Sequence, residues 1–232
     1  MPAVRFGKVK GILTCAHALA ANLGFDEVGI LLFPAQSEAD QRLRVRQVDL
    51  ADNVAFANDK ESENGPDLAF VRLPDHVLAS IGARVSIIDG ERQRAQWLAG
   101  EPERAAIGSL AFGVLAESTA KKVKRDGTPA TTFRAPLILG DIADVGDANG
   151  FDVFRLHPRK ELNDPPPKES YGGLSRNGVW QMFMNVDGNP AQIRLAGVIF
   201  YERLVDDELH PIGHGPRSIY GRLYEAIMER WG

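Results

Sequence analysis

A chain of 232 residues with 44% apolar and 25% charged residues holds enough hydrophobic material for one large core or two small ones, which excludes a disordered chain. Its formal net charge of −4 gives no electrostatic footprint for nucleic acid. The single basic run, "KKVKRDG" (Lys121 to Gly127), ends in an Asp-Gly turn and reads as a solvated hairpin tip. Cys15 is the only cysteine, so no intrachain disulfide forms. No run of about 18 apolar residues is present to span a membrane, and the first residues lack the apolar core of a signal peptide. A soluble cytoplasmic protein is the expectation, with no cofactor, no metal site and no membrane or nucleic-acid partner.

Short β-rich segments follow in chain order. "VKGILTCA" (Val9 to Ala16), "EVGILLF" (Glu27 to Phe33), "LRVRQVDL" (Leu43 to Leu50), "LAFVRLP" (Leu68 to Pro74) and "RVSIID" (Arg84 to Asp89) read as strands. A charged stretch, "GERQRAQWLAGEPER", separates them from a second set: "IGSLAFGVLAE", "ATTFRAPLIL", "FDVFRLH", "GVWQMFMNV" and "IRLAGVIFYE". Turn signals such as "NGPD", "RDGTP", "GDANG", "NDPPP" and "VDGNP" divide the runs. Only two segments look helical. "AHALAANLG" makes about two turns, and Gly215 to Gly232 places Ile219, Leu223, Ile227 and Trp231 at four-residue spacing, an amphipathic helix packing on a barrel. The pattern predicts an all-β protein of two modules, residues 1–98 and 99–232, closed by a C-terminal helix.

Three segments carry chemistry. "GILTCAHAL" runs from an apolar strand into His17, "GPDLAFVRL" sets Asp67 at the head of a strand, and "ESYGGLSRNGVW" places Ser175 past a glycine pair. Together they resemble the trypsin-like (chymotrypsin-fold) serine peptidases, whose triad runs His, Asp, Ser along the chain. The resemblance spans most of the chain, from about Lys10 to the closing helix. It implies a two-β-barrel fold with His17 and Asp67 on the first barrel and Ser175 on the second, and a protein or peptide substrate. A serine hydroxyl needs a base, which would be His17; Asp67 would hold its tautomer. Backbone N–H groups of Gly173 and Ser175 would form the oxyanion hole. Glu169 would stand at the base of the specificity pocket or be a solvated charge beside Lys168, and Phe200, Tyr201 and Glu202 would lie along the peptide-binding edge.

Several features depart from that family. Arg176 and Asn177 follow the nucleophile where small residues are usual, with Asn the better suited to positive φ. Leu174 stands where the secreted animal members carry an Asp that pairs with a freed N-terminal amine, so the chain looks closer to the intracellular or bacterial branches. Only 16 residues precede His17, so the first barrel reads as short at its N-terminus. Cys15 reads as a small buried hydrophobe. "HPIGH" has metal-like spacing, but Pro211 and Gly213 break the helix a zinc pair would need, leaving His210 and His214 with structural or turn roles. "DANGFD" reads as an exposed acidic turn. Two functions follow: a serine endopeptidase working through an acyl-enzyme, restrained by a fused or separate regulatory partner, or a catalytically inactive protease-like module that binds a protein.

Overall fold

The alternation in Leu68-Ala69-Phe70-Val71 organises the first half of the chain. All four are buried, with Leu68 and Phe70 in one hydrophobic cluster and Ala69 and Val71 in another. Successive side chains point to opposite faces of a strand, so this sheet is covered on both sides. The computed structural model describes residues 1–31, 42–57, 66–100, 106–112, 119–123, 129–133, 137–159, 175–185 and 187–232. Its first strands are β1 (Ala3–Phe6), β2 (Val9–Thr14), β3 (Glu27–Leu31), β4 (Arg42–Arg46), β5 (Asn53–Phe56), β6 (Leu68–Arg72) and β7 (Ile88–Asp89). Five of them form one sheet in the order β5-β6-β2-β1-β7, antiparallel except for the β1–β7 pair, while β3 and β4 make a separate hairpin.

Helices cover one face of that sheet. α1 (Ala16–Asn22) and α3 (Asp75–Gly82) pack with the β3–β4 hairpin, burying Leu19, Ile30, Val45, Val77, Leu78 and Ile81 against Ile12 and Val71. α2 (Gln47–Leu50) and α4 (Gly90–Leu98) complete the set. Three expectations are corrected here. Residues 47–50 leave the strand as a helical turn, only Ile88 and Asp89 of "RVSIID" form a strand, and the charged stretch is largely helix α4. β1 was not foreseen; it joins β2 through a tight turn with Gly7 at φ +56°, so two strands fit ahead of His17.

The second half is a closed six-stranded barrel of β8 (Ala106–Phe112), β11 (Leu137–Ala148), β12 (Phe151–Pro158), β13 (Gly178–Met184), β14 (Pro190–Val205) and β15 (Glu208–His214), ordered β11-β12-β15-β14-β13-β8. β9 (Thr119–Val123) and β10 (Pro129–Phe133) pair as a hairpin whose tip lies outside the described residues. Phe154, Leu156, Val179 and Ile199 fill the barrel interior. Asn149 and Gly150 take φ of 55° and 81° between β11 and β12, the double left-handed turn that Asn-Gly favours. The protein is thus mostly β, with a C-terminal helix.

That helix begins as a π-helical segment (Ser218–Leu223) and continues as α5 (Tyr224–Trp231). Ile219, Leu223 and Ile227 are fully buried and Trp231 half-buried. The partners correct the sequence reading: Tyr224 meets Phe6 edge-on with centroids 5.5 Å apart, and Trp231 lies 6.0 Å from Phe70, so these aromatics pack on the open sheet. The Tyr220 hydroxyl reaches the barrel, donating to the Leu195 carbonyl at 3.0 Å. The helix therefore cements sheet to barrel. No described helix is long and apolar enough to cross a membrane.

Candidate functional site

His17 stands in the first turn of α1, where backbone N–H groups have no partner inside the helix. Cys15, at the N-cap, offers no side-chain cap. Asp67 satisfies the end from the head of β6. One carboxylate oxygen accepts the His17 N–H at 2.9 Å, and the other makes a very short contact with His17 Nδ1. The carboxylate so held makes Nδ1 the protonated nitrogen and leaves Nε2 as the acceptor. Among the described residues nothing bonds to Nε2, and the imidazole is 53% exposed against 16% for the Asp67 carboxylate.

Asp67 is fixed from behind as well. Its backbone N–H donates to His214 Nε2 at 3.0 Å, and His214 Nδ1 contacts the Asp152 carbonyl at 3.2 Å. A carbonyl only accepts, so Nδ1 must carry the proton, and His214 is neutral with Nε2 as acceptor. The ring is completely buried, and burial holds its pKa below the ordinary value of 6.5. "HPIGH" is therefore a strand that places His214 in the core, and the sequence offered no sign of its link to Asp67. Asp152 is likewise not part of an exposed turn. It is buried, and its carboxylate accepts the Arg217 N–H at 3.0 Å and the Ser218 N–H at 2.6 Å, capping the closing helix.

Ser175 reaches the same corner from the barrel side. Arg176 N donates to the Ile199 carbonyl at 2.7 Å and Ile199 N donates to the Asn177 carbonyl at 3.0 Å, pinning the turn along β14. The Cys15 thiol donates to that same Ile199 carbonyl at 3.1 Å, tying the turn to the residue that opens α1. β14 carries an irregularity between Ile199 and Tyr201, where an extra residue faces β15. Such a bulge re-aims a side chain. Here the Phe200 ring is buried and stacks on His214 at 4.3 Å and 15°, while its carbonyl accepts the Ser175 hydroxyl at 3.3 Å. No hydrogen bond joins Ser175 to His17 among the described residues. Tyr201 is exposed and Glu202 half-buried. Gly173 and Glu169 lie outside the described residues.

Arg176, not Asn177, takes the left-handed conformation, with φ of 75°. An L-residue there loses about 1–2 kcal/mol to the clash of Cβ with its own backbone. Part of that would be offset in a glycine variant by greater freedom of the unfolded chain. Arg176→Gly is therefore expected to raise stability by about 0.5–1 kcal/mol, seen as a higher urea midpoint at unchanged slope.

Cys15, His17 and Asp67 also present ligand atoms within 4.8 Å of one another, the one such group among the described residues. They fit a metal poorly. A cation would have to part Asp67 from the imidazole and take the proton from a thiol that burial, and then the Asp67 charge, hold well above its ordinary value. A cavity of about 360 Å³ is lined by β11, β12, β13 and β14 together with α4 and the closing helix, Trp97, Phe154, Phe183 and Tyr220 among its residues, but none of His17, Asp67 and Ser175 lines it. No protein-family model matches this chain, and no curated protein matches it either.

Proposed function

We propose that this chain is a trypsin-like serine endopeptidase acting through an acyl-enzyme, with Ser175 as nucleophile, His17 as general base and Asp67 as the group that orients it. In this reading the open sheet and the β3–β4 hairpin correspond to the first barrel of that fold, and the closed barrel to the second. The carrying observation is the double hold of Asp67 on His17, which in the neutral ring places the proton on Nδ1 and leaves Nε2 as the acceptor, with no partner among the described residues. Acylation requires the hydroxyl to leave the Phe200 carbonyl and bond to Nε2; catalytic hydrogen bonds are often loose before substrate binds. The substrate would be an extended peptide. Its main chain would pair along β14 near Tyr201, the residue after the bulge at Phe200.

The hydrogen bond from Ser175 to Phe200 and the strained Arg176 favour a second reading, a silent protease-like module that binds a protein. A fluorophosphonate probe separates the two. The endopeptidase gives a covalent adduct mapped to Ser175 that disappears in His17→Ala. Folded protein that never labels assigns the silent module.

A further inference from the structure

We infer that His214 is a positioning residue, a neutral latch that holds Asp67 in line with His17 and releases it when the ring gains a proton. Its effect on rate rests on the hydrolase reading; the latch itself does not. Four segments meet on this ring. β15 supplies it, β12 anchors Nδ1 through the Asp152 carbonyl, and the segment ahead of β6 docks the Asp67 N–H on Nε2. Phe200 from β14 covers one face of the ring, and Phe151 from β12 meets it edge-on at 5.8 Å. The ring is therefore held in one orientation, and so is the backbone of Asp67.

The charged groups around it are accounted for. From β12 comes Asp152, whose carboxylate is occupied by the Arg217 and Ser218 N–H groups. From the loop before β6 comes Asp67, with His17 of α1 beyond it. From the closing helix, Arg222 lies over Phe151, 5.8 Å from its ring. A proton arriving on Nε2 turns the acceptor into a donor that faces the Asp67 N–H, and the two repel. The Asp67 segment must then move, and the carboxylate moves with it. The linkage runs in one direction. Because the folded protein holds His214 neutral below the ordinary value of 6.5, stability is full above that pH. It is lost as pH falls from there toward the folded-state value.

Two variants test this. The side chain introduced by His214→Gln offers an oxygen to accept the Asp67 N–H and an amide to donate to Asp152, but it does not titrate. That of His214→Phe keeps the stacking and removes both bonds. In wild-type protein the Asp67 amide resonance is expected to titrate with the His214 ring, and the logarithm of the Ser175 phosphonylation rate to approach a slope of 2 at acid pH. His214→Gln is expected to label within several-fold of wild type at pH 8, with an acid slope of 1 and an Asp67 amide that no longer follows the ring. His214→Phe, checked for folding by circular dichroism, is expected to lose the low-field His17 Nδ1 proton signal and up to about 100-fold in labelling rate. An Asp67 amide indifferent to His214 in folded protein overturns the latch. If Ser175 never labels while the amide still follows His214, the hydrolase reading falls and the latch stands.

Discussion

Asp67→Asn is expected to lower the rate at which Ser175 is phosphonylated by about 10⁴-fold while the protein stays folded, the magnitude known for this exchange in the Ser-His-Asp triad. The reason is the tautomer. The asparagine side chain would keep one oxygen for the His17 N–H that caps α1, a bond of 2.9 Å in the wild type. Its amide group would face Nδ1, and an N–H cannot donate to another N–H. His17 would then move its proton to Nε2, the nitrogen that in the proposed mechanism accepts the proton of Ser175. Stability changes much less, because the cap survives, and the melting temperature should shift by only a few degrees for a change of about 1 kcal/mol. Asp67→Ala is the useful contrast. It removes the cap as well and adds a loss of about 1 kcal/mol of helix stability. Labelling that persists at the wild-type rate in folded Asp67→Asn removes His17 from the role of base.

The contact between His17 and Asp67 sits where sequence reasoning reaches: both residues lie at the junction of a strand with a loop or helix, in segments whose strand character is plain. His214 is beyond that reach. Its bond to Asp67 depends on the register of β14 against β15 and on the bulge at Phe200, neither of which leaves a local signature. Of the three missed helices, the two longer ones failed for different reasons. α3 carries its signals, Pro74-Asp75 at the start and Gly82 at the end, with Val77, Leu78 and Ile81 buried, but eight residues show too little of the helical period to stand out. α4 has no apolar stripe at all. It is held by polar contacts, with Arg94 donating to the Tyr220 carbonyl at 2.9 Å and Gln93 accepting the Leu195 N–H at 3.0 Å. Arg176 shows the same limit at a single residue. Asn tolerates positive φ better than Arg, yet the two bonds to Ile199 put the left-handed position one residue earlier.

The largest stability loss is expected at Phe70→Ala, about 3–5 kcal/mol. Phe70 is fully buried on β6, with Phe6 at 6.1 Å and Trp231 at 6.0 Å between ring centroids. Gly11 on β2 has no side chain for a reason visible here: a Cβ there would lie 2.6 Å from the tip of the Phe70 ring and 2.0 Å from the Val71 carbonyl. The ring therefore fills space that its neighbours cannot reclaim, and its removal leaves a cavity at the seam of sheet and closing helix. Such a loss is a large part of the roughly 5–15 kcal/mol that typically separates folded from unfolded domains. The exposed pair of Arg5 and Asp89, 2.7 Å apart on the same sheet, provides the scale at the other end. With both side chains more than 40% exposed, Arg5→Ala is expected to cost no more than about 1 kcal/mol. Urea midpoints for the two variants should differ accordingly. Phe70→Ala also tests the site, because β6 begins one residue after Asp67: a loosened strand should slow Ser175 labelling even where most of the protein remains folded. A Phe70→Ala protein as stable as Arg5→Ala would mean that the seam is held by the polar contacts of Tyr220 and Arg94 and not by its aromatic core.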